Sequence, residues 1–101
     1  MGDGGEVRST FDSTAGGVMC REVGAITGEL EVSTRASEKG VEATIRYAGA
    51  DEWYTVEGSP ASLEVAESLG PDDLHGRVVE QLTTPGPVVD GNEQPVSLKG
   101  F

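Results

Sequence analysis

Cysteine and histidine each occur once in the 101 residues, as Cys20 and His75, and lysine and arginine together number only seven against 18 acids. A lone cysteine cannot close an intramolecular disulfide, and one thiol with one imidazole cannot assemble the usual Cys/His zinc sets. Small secreted domains lean on disulfides, so the chain is expected in a reducing compartment, as a cytoplasmic protein. The scarcity of positive charge leaves a formal net charge of −11. Such a surface repels phosphate, which excludes sequence-independent binding to nucleic acid and attraction to anionic lipid. It permits the opposite, a basic protein partner.

Long apolar runs are also missing. No stretch approaches the roughly 18 consecutive apolar residues of a membrane span, and Met1-Gly2-Asp3-Gly4-Gly5-Glu6 has no basic patch followed by an apolar core. No membrane partner and no leader are therefore expected. Aromatic residues make up 5% and apolar residues 36% of the chain. A chain this short buries roughly two-thirds of the surface it exposes when unfolded, enough for one modest core but not for a core and a deep substrate cavity. The acids are spread out, at −2 over residues 1–27, −4 over 28–58, −4 over 59–84 and −1 over 85–101. No dense acidic tail is present.

What the chain does have is period-2 alternation over residues 28–58. Leu30, Val32, Thr34 and Ala36 share one face of a strand, with Glu29, Glu31, Ser33 and Arg35 on the other. After the turn residues Ser37-Glu38-Lys39-Gly40, Val41, Ala43, Ile45 and Tyr47 alternate with Glu42, Thr44 and Arg46; a second turn at Gly49-Ala50 leads to a third strand from Glu52 to Glu57. Closing Ala36 on Val41 sets Arg35 opposite Glu42 and Glu31 opposite Arg46, so both outer charge pairs are opposite in sign. Closing Ala48 on Asp51 sets Arg46 beside Trp53 and Thr44 beside Thr55. The result is an antiparallel meander with one apolar and one polar face.

The apolar face needs a cover. Residues 71–84 supply a helix: Leu74, Val78 and Leu82 form a stripe, Pro71 and the acids Asp72 and Asp73 mark its start, and Pro85-Gly86 its end. His75 is expected on the solvated flank of this helix. Residues 59–69 read as a short helix starting at Ser59-Pro60, with Leu63, Ala66 and Leu69 as its stripe, although Leu63 and Val65 also alternate as in a strand. The expected fold class is α+β, a three- to four-stranded antiparallel β-meander with one or two helices packed on one face. The glycine-rich residues 1–17 are expected as a flexible N-terminal arm, 18–84 as the domain and 85–101 as an extended C-terminal tail. Val18 to Val23 reads as a short edge strand or ordered coil. The strand-strand-strand-helix order resembles double-stranded-RNA-binding modules, but the leading helix and basic helix start are missing and Asp72-Asp73 stands where positive charge is needed.

Chemistry has little to work with. Acid pairs such as Asp72-Asp73 or Asp51-Glu52 are commonplace among 18 acids, and Asp90-Gly91-Asn92-Glu93 is a turn and only a fragment of a calcium loop. The glycines of 1–17 lack the lysine and strand-to-helix context of a phosphate loop. No cofactor, metal or catalytic residue is expected, and the chain reads as a non-catalytic protein-interaction or regulatory module. The candidate partner surface is the polar sheet face, where Arg46 and Trp53 stand with Glu31, Thr44 and Thr55, because Trp and Arg are enriched at binding hot spots. The alternative is a small-molecule binder or small enzyme using Cys20 and His75. Open sheet edges also offer a place for a homodimer to form.

Overall fold

The computed structural model describes residues 5–101. The alternation over 28–58 produces β4 (Glu29–Ser37) and β5 (Gly40–Tyr47), paired with Glu31 opposite Arg46, Arg35 opposite Glu42 and Ala36 opposite Val41, as the charge pairing requires. The third strand is shorter than the sequence suggests. Only Tyr54–Thr55 forms a regular strand, β6, with Thr55 opposite Thr44 and Tyr54 opposite Ile45, and Val56 extends it by donating its N–H to the Ala43 carbonyl at 3.1 Å. The fold is α+β.

Val7–Asp12, expected within a flexible arm, instead forms β1 and completes a four-stranded antiparallel sheet in the order β1-β4-β5-β6. Its own alternation explains the difference. Val7, Ser9 and Phe11 pair with Thr34, Val32 and Leu30 on the apolar face, so ladder hydrogen bonds and burial of Phe11 outweigh the ordering entropy. The arm's first four residues lie outside the described residues. β2 (Val18–Cys20) and β3 (Gly24–Ile26) make a separate hairpin that sends Val18, Cys20 and Ile26 into the core.

Helix α1 (Leu63–Ser68) is capped by Ser62, whose hydroxyl accepts from the Val65 N–H at 3.2 Å, and not by Ser59-Pro60. Ser59 serves the sheet, accepting the Ala43 N–H at 3.0 Å on its hydroxyl. Leu63 is exposed; Ala61 is buried in the core, and Val65, Ala66 and Leu69 pack against it. Helix α2 (Pro71–Thr83) lies across β4 and β1 and buries Leu74, Val78 and Leu82 together with His75. The tail is not plain coil. Val88–Val89 (β7) and Asn92–Glu93 (β8) close a hairpin over Asp90-Gly91, both at positive φ, the combination a two-residue turn requires. Beyond it Val96 and Leu98 enter the same core.

The chain through β2, residues 17–21, also seals one side of the sheet. Arg21 donates its N–H to Thr55, Glu57 donates to Met19, and Val96 and Leu98 then bond to Gly17 and Glu57 in turn. The free edge of β6 is thereby covered, whereas among the described residues no strand pairs with the outer edge of β1.

Candidate functional site

The helices leave the opposite face of the sheet uncovered, and its polar residues interlock. Arg46 projects from the middle of β5. Its guanidinium holds Glu31 at 2.7 Å, donates to the Ala50 carbonyl at 2.7 Å, and lies over the Trp53 ring, 4.5 Å from the centroid. A second guanidinium reaches the same ring from the far edge, with Arg8 of β1 5.4 Å from the centroid. Trp53 is thus engaged by two cations, an arrangement in which the ring's negative π-face offsets positive charge.

The rest of the face is equally well paired. Thr44 and Thr55 are cross-strand neighbours, and Glu22 clamps Thr55 by accepting both its backbone N–H and its hydroxyl at 2.8 Å. Those two bonds hold the Glu22 carboxyl below the usual range. Glu6 accepts from Ser33 at 2.5 Å and from Arg8 at 3.1 Å, with the same effect on its own carboxyl. Arg35 and Glu42 pair at 3.1 Å. All five residues named from sequence, Glu31, Thr44, Arg46, Trp53 and Thr55, therefore share one surface. Sequence reasoning missed Glu6, Arg8 and Glu22. The signal for Arg8 was the strict alternation of Val7-Arg8-Ser9-Thr10-Phe11-Asp12, while Glu22 acts from an irregular turn that leaves no periodic trace.

Cys20 and His75 are kept apart. Cys20 sits beside Val56 at the β6 side of the sheet, whereas His75 bonds Ser9 of β1 and Thr34 of β4. Cys20 stands one strand beyond β6, so at about 4.8 Å per strand three spacings separate it from Thr34. The Cys20 thiol donates to the Val18 carbonyl at 3.8 Å, and burial raises its pKa to about 11, the reverse of what a nucleophile needs. His75 is buried, not solvated. It lies four residues before Val79 and seven before Leu82, on the row flanking the main stripe, and the two hydroxyls meet its ring nitrogens at 2.7 and 2.8 Å. Burial lowers its pKa, only partly countered by Asp72.

A depression of about 530 Å³ lies away from this face, between α2 and the C-terminal segment, bordered by Arg77, Gln81, Pro87, Lys99 and Phe101. The Gln81 amide is already engaged there by the Ser97 and Lys99 carbonyls. Among the described residues no three His, Cys, Asp or Glu side chains gather as metal ligands, and no helix is long and apolar enough to cross a membrane. No protein-family model, curated protein or solved structure matches the chain.

Proposed function

We propose that this chain is a small acidic, non-catalytic interaction module that binds a protein partner through the Trp53 face. The observation that carries this reading is the Trp53 ring, engaged by Arg46 and Arg8 on the sheet face opposite the helices. The arginines are oriented in advance by Glu31, Ala50 and Glu6, so little side-chain entropy remains to be lost on binding. The overall charge of −11 favours a basic partner and speeds its approach, while the aromatic and guanidinium groups at the centre supply specificity.

The test compares wild type with Trp53→Ala in capture from lysate of the source cell at low and moderate salt. Trp53→Ala is expected to keep its far-ultraviolet circular dichroism while losing a partner that wild type retains at both salts. Retention of that partner by a folded Trp53→Ala protein overturns the assignment. Capture of assorted basic proteins that wash off at moderate salt also overturns it, because the charge alone then accounts for binding.

A further inference from the structure

We propose that the free edge of β1 is a dimerisation edge, at which a second copy of this chain pairs its own β1 antiparallel about a two-fold axis passing through Thr10. The geometry begins with the β1-β4 ladder. Ser13 donates its N–H to Gly28 at 2.9 Å, continuing the β1-β4 register. Because bonded positions alternate in an antiparallel pair, Val7, Ser9 and Phe11 direct their N–H and C=O groups at β4, and Arg8, Thr10 and Asp12 direct theirs outward. Among the described residues nothing receives them.

The edge lacks several of the devices that keep sheet edges apart, and its two charges, Arg8 and Asp12, are opposite in sign. Its sequence Val7-Arg8-Ser9-Thr10-Phe11-Asp12 has no proline, glycine or lysine, and its register with β4 runs without a bulge. The opposite edge, by contrast, is sealed by residues 19–22.

Charge selects the register. With Thr10 on the axis, Arg8 of each copy stands opposite Asp12 of the other, Thr10 meets Thr10, and every outward N–H and C=O of these three residues finds a partner. Moving the axis to Ser9 sets Glu6 against Asp12, two like charges. Moving it to Phe11 sets Arg8 against Thr14 and leaves Asp12 facing Thr10. Only the Thr10 register is self-complementary, and it keeps Phe11 on the side of the sheet that α2 covers. The product is one continuous sheet of eight strands with two Trp53 faces side by side.

The test is the concentration dependence of mass, by sedimentation equilibrium. Wild type is expected to dimerise reversibly. Arg8→Asp or Asp12→Arg alone places like charges opposite each other at both ends and weakens the dimer by about tenfold or more; the double variant R8D/D12R restores it. Thr10→Pro removes an outward donor without touching the β4 ladder, so it is expected to give a folded monomer with an intact Trp53 cluster. Should Thr10→Pro fail to fold, the charge-reversal set decides. Wild type that stays monomeric up to about 1 mM, a range that would reveal even a weak self-association, overturns the proposal and leaves the edge to an extended segment of another protein. A dimer that persists in folded Thr10→Pro, or that the double variant does not restore, overturns it equally. None of these outcomes depends on the partner read for the Trp53 face.

Discussion

The Nδ1 atom of His75 lies 2.8 Å from the hydroxyl of Thr34, and this contact fastens α2 to the middle of the sheet. The other ring nitrogen meets Ser9 at 2.7 Å, so one side chain ties the helix to β4 and to the edge strand β1 together. A neutral imidazole offers one donor and one acceptor, and each hydroxyl can take either role, so both bonds are satisfied without a charge. The only histidine of the chain thus acts as a structural clamp, and β1 owes part of its place in the fold to it.

Acid should loosen that clamp. Burial sets the folded pKa of His75 below the unfolded value near 6.5, so between those values the unfolded chain binds a proton that the folded chain refuses. Stability therefore falls as pH drops from about 6.5 toward the lowered folded value, by at most about 1.4 kcal/mol per pH unit. The carboxyls of Glu6 and Glu22, whose pKa values are lowered, add their own loss only at more acidic pH. Urea melts of wild type and His75→Gln between pH 5 and 7 check this: wild type should show the slope and the variant should not.

Arg46 should resist its conservative replacement. A lysine keeps the charge but cannot hold Glu31 while donating to Ala50 and covering the Trp53 ring. Arg46→Lys is expected to cost about 1–2 kcal/mol and to change the fluorescence of Trp53, the sole tryptophan. An unchanged melt and emission spectrum would contradict this account of the face.

Much of this architecture was legible because the physics that sets it is periodic or pairwise. The alternation of β4 and β5, with Glu31–Arg46 and Arg35–Glu42 agreeing in one register, fixed the strands and placed all five named face residues together. Residues 71–83 showed their helix through stripe, proline and acids. Two features were hidden for different reasons. β1 carries only Val7 and Phe11 as apolar residues, in a glycine-rich stretch of the sequence, and its strand exists because β4 already offers a free ladder. His75 looked solvated when set beside Leu74 and Arg77, yet the Val79–Leu82 flank turns it inward. The Ser59-Pro60 signal for a helix start was overridden by the sheet, which uses the Ser59 hydroxyl for Ala43.

Two turn glycines should respond differently to the same change. Gly40, at φ +134, would bring a Cβ within 2.5 Å of the Ala61 carbonyl, the group that accepts the Val41 N–H. Gly49, at φ +84, faces open space. Gly49→Ala is expected to cost about 1 kcal/mol for the left-handed backbone alone, and Gly40→Ala distinctly more, since strand β5 must also shift from Ala61. Equal melting temperatures for the two variants would contradict the close approach at Gly40.

The C-terminal segment gives the last contrast, between two apolar residues ten positions apart. Leu98 is 1% exposed and Val88 is 67% exposed, so only the first takes part in the core. Leu98 is also held in place by its N–H bond to Glu57 at 2.8 Å, which limits collapse around a deleted side chain. Leu98→Ala should therefore cost about 2–4 kcal/mol, while Val88→Ala should change stability by less than about 0.5 kcal/mol. Denaturant melts of the pair distinguish a docked segment from a loose one, because a loose tail would make both substitutions equally silent.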